Sequence, residues 1–157
     1  MAAARLACYL TGGCPPGGRL SHRGARDPSL PARSLAFMLP GCVFFAGESR
    51  VWGGGRAFYD PEVRGPTPAR AYLVTAEQFD DIRAQEPPVY DRLLEVGVRD
   101  GHPMLTFTSA VGLHDVAPRA PARKYLRTIG EGVAEAHGWD EPRVAEYLAR
   151  LAVHPSG

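Results

Sequence analysis

Few side chains in this sequence stand where chemistry would need them. Glu86 closes a stretch over 75–86 that reads as a helix stopped by Pro87-Pro88, because the residue before a proline disfavours the α region. A carboxylate at a helix C-terminus sits where the dipole disfavours negative charge, which suits a group that takes up and returns a proton. A solvated surface Glu is the ordinary alternative. Tyr125 falls at the start of an expected helix, where its hydroxyl can bond a substrate or its ring can fill the core. Gly53-Gly54-Gly55 can let backbone approach a pocket, or can form a bulge or tight turn. Trp52 and Tyr59 read as core aromatics, and Glu48 and Asp60 as surface charges.

The other reactive residues form no set. The three Cys, at 8, 14 and 42, lack disulfide or zinc spacing, so free thiols are expected. The five His, at 22, 102, 114, 137 and 154, form no HxxxH or HxH pair. No metal and no cofactor is expected. There is no GxGxxG, no GxxxxGK[ST] and no GxSxG.

At 157 residues the chain fits one domain over 1–157, large enough to bury a core without staples. The 18 basic and 17 acidic residues leave a formal charge of +1, which argues against nucleic acid as a partner. The longest apolar run, Cys42-Val43-Phe44-Phe45-Ala46, is of strand length, so no membrane partner is expected. Residues Met1 to Leu6 lack the pattern of a signal peptide, and a cytoplasmic location is the expectation. Nothing in the sequence sets an oligomeric state.

The elements that must position these residues read as follows. Leu6, Tyr9 and Leu10 fall at i, i+3 and i+4 of a helix over the first eleven residues. Residues 12–32 are a long loop, of a length that often carries function or hides a strand. Two apolar runs over 34–46 flank Pro40-Gly41 and read as a strand pair. A strand over 69–74 leads into Thr75-Ala76-Glu77-Gln78, a capping box. Residues 89–96 and 103–109 read as a hairpin turning at Asp100-Gly101. A helical pair closes the chain over 122–153, with Val144, Tyr147, Leu148 and Leu151 as the stripe of its second helix. The fold class is α+β: five to six strands in a mixed, largely antiparallel sheet or a small closed barrel, with flanking helices.

Four pieces occur in an order that resembles the γ-glutamylcyclotransferase-like family. They are Gly47-x-Ser49-x-x-Trp52-x-Gly54-Gly55-x-Ala57, then Ala71-Tyr72-Leu73-Val74 leading through a helix to Gln85-Glu86. The hairpin from Val89 to Thr108 follows, and then Pro121-x-x-x-Tyr125 with Ile129 and Gly132. The resemblance implies that Glu86 is the catalytic acid/base. It implies substrate contact by Tyr125, and Gly54 and Gly55 are substrate-side candidates. It further implies a small-molecule γ-glutamyl substrate, a peptide or an amine derivative, which cyclises to 5-oxoproline without metal or cofactor. The family's strand ending in Tyr-Gly-Ser-Asn has no counterpart; Met1 stands where the residue after that motif would be. The expectation is that Met1 is not the native start, a truncated member being the alternative. A non-catalytic binding module on the same scaffold is the rival reading, and different amide chemistry a second. A zinc-dependent histone deacetylase would need His and Asp ligands that no motif supplies.

Overall fold

The structure, a computed structural model, describes residues 1–152; Val153, the last residue of the expected helical pair, and His154 lie outside them. Helix α1 (Ala3–Thr11) buries Leu6, Tyr9 and Leu10, the stripe read from the sequence. Six strands follow: β1 (Ser34–Pro40), β2 (Cys42–Ala46), β3 (Arg56–Asp60), β4 (Pro66–Tyr72), β5 (Arg92–Arg99) and β6 (His102–Thr108). Helix α2 (Ala76–Arg83) separates β4 from β5, and α3 (Arg123–His137) and α4 (Glu141–Ala152) close the described chain.

The class is α+β, but the strands do not make one sheet or a closed barrel. They form three two-stranded antiparallel sheets: β1 with β4, β2 with β3, and β5 with β6. The strand pair expected across Pro40-Gly41 is corrected here. Met38 pairs with Pro68 on β4, whereas Phe44 pairs with Phe58 on β3. Gly41, at φ +106°, carries the chain from one sheet to the next. Prolines account for part of the missing continuity: Pro66 and Pro68 in β4 and Pro103 in β6 have no N–H to donate. Side-chain hydroxyls join the sheets instead. The Thr108 hydroxyl accepts from Tyr59 N at 3.0 Å and donates to Tyr59 O at 2.7 Å, tying β6 to β3. The Thr67 hydroxyl donates to Gly41 O at 3.0 Å, tying β4 to the start of β2.

The β2–β3 sheet is the centre because both its faces are apolar. Phe44 packs with Phe58 on one side, with Tyr90, Leu113 and Val116 around them. Phe45 packs with Trp52 and Tyr125 on the other, backed by Leu126 and Ile129 of α3. The hairpin β5–β6 turns at Asp100-Gly101 as read, both residues having positive φ. In α4 only Tyr147 is buried; Val144, Leu148 and Leu151 are half-buried. Asp60 is no surface charge: it is 6 % exposed and accepts from Glu62 N and Leu113 N at 2.9 and 2.8 Å.

Candidate active site

The capping box at the start of α2 forms as read. The Thr75 hydroxyl accepts from Gln78 N, and the Gln78 side chain accepts from Thr75 N, each at 3.1 Å. The end of α2 differs from the expectation. The helix stops at Arg83, and Glu86 lies in the turn beyond it, where Gln85 N donates to Ile82 O and Glu86 N to Arg83 O, each at 3.1 Å. Two features fix that turn. Pro87 follows Glu86 and cannot continue a helix. The Gln85 side chain donates to Tyr9 O at 2.9 Å and Asp81 O at 3.1 Å, and accepts from Gly24 N at 3.3 Å. Gln85 therefore clamps α1, α2 and the 12–32 loop together one residue before Glu86.

That loop is anchored to α2. Arg26 donates from its backbone N and its Nε to the Asp81 carboxylate at 2.9–3.2 Å. The Arg26 hydrogen bond holds the Asp81 carboxyl below its ordinary value. Gln78 Nε2 donates to Asp27 O and Ser29 O at 3.2 and 2.9 Å.

Tyr9 completes the seat of Glu86. It is 1 % exposed, and its phenol donates to Glu86 Oε1. Burial pushes the Tyr9 hydroxyl well above its ordinary value and the negative Glu86 pushes it further, although Arg5 opposes both. Tyr9 is thus a protonated donor at neutral pH. Among the described residues Glu86 Oε2 has no hydrogen bond, which leaves that oxygen for a proton or a substrate.

Beside this pair lies a cation boxed by aromatic rings. Arg5 is one turn from Tyr9 on α1. Its guanidinium carbon is 5.5 Å from the ring centroid of Tyr125, 5.7 Å from that of Trp52 and 6.0 Å from that of Tyr9. Its Nη2 reaches the Tyr9 hydroxyl at 3.4 Å. Burial opposes the Arg5 charge, but Tyr125, Tyr9 and Glu86 outweigh it and raise the guanidinium above its ordinary value. Trp52 and Tyr125 stack with centroids 5.1 Å apart and planes 3° apart, and Phe45 meets Tyr125 edge-on. His22 lies against Tyr9 with ring centroids 3.9 Å apart. Burial, then Arg5, lowers its imidazole below the ordinary value. The Tyr90 hydroxyl donates to Ala57 O at 2.8 Å and is pushed up by burial, then by Tyr125 and Glu86.

Of the residues singled out in the sequence, Glu86 and Tyr125 share this cluster, with Arg5 between them. Gly54 and Gly55 pack behind it. A Cβ on Gly54 would lie 2.8 Å from Ala120 O, and one on Gly55 would overlap the Arg119 carbonyl. Gly55 N donates to Ala120 O at 2.7 Å. The two glycines therefore seat the strand-like segment that leads into α3 and sets Tyr125. Trp52, 1 % exposed, is core as read.

Arg5, Tyr9 and His22 are site residues that sequence reasoning passed over, and it noted Gln85 only as the neighbour of Glu86. Tyr9 looked like one more member of an apolar stripe. The signal was Arg5, a cation one turn before it on the buried face. A cavity of about 190 Å³ adjoins the cluster and shares Arg5 and Tyr125 in its wall, the rest being mainly apolar groups such as Val43, Ala57 and Ile129. Among the described residues no three His, Cys, Asp or Glu side chains gather as metal ligands, and no helix is long and apolar enough to cross a membrane.

The arrangement can hold an anion beside a fixed cation and pass a proton at a carboxylate whose orientation is set by a phenol. No family model, no curated protein and no solved structure matches this chain.

Proposed function

We propose that this chain is a γ-glutamylcyclotransferase-like enzyme that releases 5-oxoproline from a γ-glutamyl peptide or γ-glutamylamine. The observation that carries the reading is Glu86. It is a half-buried carboxylate beyond the end of α2, anchored through Oε1 by the Tyr9 hydroxyl and free at Oε2. The reaction is an intramolecular acyl transfer, so the nucleophile comes with the substrate and needs positioning more than activation. The α-ammonium gives one proton to Glu86. The amine then attacks the γ-carbonyl, forming the ring C–N bond. The ring nitrogen sheds its second surplus proton as the old C–N bond breaks. The departing nitrogen gains both protons and leaves as an ammonium, so no water and no net proton are consumed. Glu86 carries the transfers as base and then as acid. The Trp52–Tyr125 stack and the glycines that seat it support the pocket wall.

A non-catalytic binding module on the same scaffold is the second reading. Burial of Tyr125, 4 % exposed, favours it, since a ring stacked in the core presents little of its hydroxyl to a substrate. Glu86→Gln separates the two. The amide oxygen can still accept from Tyr9, so the fold should persist while kcat falls by about 100- to 10,000-fold. A folded Glu86→Gln variant with unaltered kcat rejects the acid/base assignment.

A further inference from the structure

We infer that Arg5 is the docking group for the substrate's α-carboxylate, an inference that rests on the cyclisation reading above for its ligand. Among the described residues only three buried side-chain polar atoms lack a hydrogen-bond partner: Arg5 Nε, His22 Nε2 and Trp52 Nε1. All three belong to the one cluster around Tyr9 and Tyr125. Buried donors without acceptors are rare, because each loses water and gains nothing in return. Two of these three are obligate donors, since Arg Nε–H and indole N–H cannot accept. Their concentration in one place calls for a ligand rich in acceptor oxygens.

Charge narrows the choice. Arg5 takes part in no ion pair among the described residues, unlike Arg70, which meets Glu135 at 2.6 Å, or Arg26, which meets Asp81. It is a permanent cation whose Nε is unengaged and whose Nη2 makes only the 3.4 Å contact to the Tyr9 hydroxyl; a guanidinium edge matches a carboxylate by two parallel N–H···O bonds. Arg5 also contributes to the wall of the 190 Å³ cavity, together with Tyr125. Trp52 Nε1 offers a further donor beside it. A γ-glutamyl group carries its carboxylate on the same carbon as the reacting amine. Arg5 Nη2 reaches the Tyr9 hydroxyl that holds Glu86, so a carboxylate docked at Arg5 would bring that amine toward the Tyr9–Glu86 pair. Arg5 is in this sense a substrate-contacting residue that sets both affinity and orientation.

The test uses a ligand that cannot cyclise, N-acetyl-γ-glutamyl methylamide, and its α-carboxamide counterpart, with binding measured by calorimetry. The wild-type chain should bind the carboxylate about 10- to 100-fold more tightly than the carboxamide. Arg5→Gln should erase that preference. Arg5→Lys, which keeps the charge but loses the two-pronged edge, should retain a fraction of it and serves if Arg5→Gln fails to fold. Equal binding of the two ligands by the wild type, no binding of either, or a preference that survives in the folded variants overturns the inference. The parallel assay for 5-oxoproline from γ-glutamyl methylamide keeps the two readings apart. A carboxylate preference without product removes the cyclisation and leaves the docking group standing. Product without a carboxylate preference removes only the docking group.

Discussion

At the scale of single residues, the site depends on which atoms are spoken for. Glu86 Oε1 is held by Tyr9, and Tyr9 is kept protonated by burial. Tyr9→Phe removes the hydroxyl and preserves the ring packing against Leu6, Leu10 and His22. It should cost about 1 kcal/mol of stability. As a positioning residue, Tyr9 should show in kcat, with a fall of about tenfold and little change in KM, because the carboxylate loses its fixed orientation. A loss confined to KM would contradict that role. His22 provides a pH signature. Its imidazole is lowered by burial and by Arg5. The unfolded chain then binds the proton more readily, so the stabilising contribution is present above the ordinary imidazole value and is lost as pH falls below it. The melting temperature should decline between about pH 7 and pH 5, and His22→Phe, which keeps a ring on Tyr9, should flatten that decline. A chain break near Glu86 was legible from the proline pair that follows it, although the helix itself ends earlier, at Arg83. Arg5 and Tyr9 were not, since their partner is 77 residues away from Tyr9 and no local rule links them.

At the scale of elements, close backbone approach does the positioning. Gly55→Ala would drive a methyl into the Arg119 carbonyl, in a segment whose backbone is already tied by Gly55 N to Ala120 O. The backbone there must shift. A loss of about 1–3 kcal/mol follows, with a melting temperature several degrees lower. The shift is expected to propagate to the start of α3, and hence to loosen the Tyr125–Trp52 stack, which near-ultraviolet circular dichroism would read. An unaltered aromatic spectrum would separate the glycines from the site. The elements most faithfully read from sequence are those closed by short-range chemistry: the capping box of α2 and the Asp100-Gly101 turn of β5–β6. Helix α1 was legible from its apolar spacing. The 12–32 loop was legible as a loop, but its anchoring was not, because that order comes from Asp81 and Gln78 across the fold rather than from any periodicity of its own.

At the scale of the whole molecule, three small sheets are held in one fold by hydroxyls and aromatic packing. Thr108, 1 % exposed, is the joint between the β5–β6 hairpin and the central sheet. Thr108→Val keeps the shape and leaves the Tyr59 N–H and C=O without that partner, which should cost about 1–3 kcal/mol; Thr108→Ser should recover most of it. Equal stability of the valine variant would show that the hairpin docks by apolar contact alone. Strands β1, β2, β4, β5 and β6 were readable from residue type and β3 was not; of the three pairings only the β5–β6 hairpin was readable. β1 and β2 are adjacent in sequence across a turn dipeptide, yet each pairs with a later strand, because register between distant segments is decided by the core they bury. The proposed activity turns on one chemical event at Glu86. The most direct measurement is mass-spectrometric detection of 5-oxoproline from a panel of γ-glutamyl dipeptides and γ-glutamylamines, with the wild-type chain and Glu86→Gln side by side. Product is expected from the wild type, with near-complete loss in the folded variant. No product from a folded wild type, or equal product from both, would contradict that expectation.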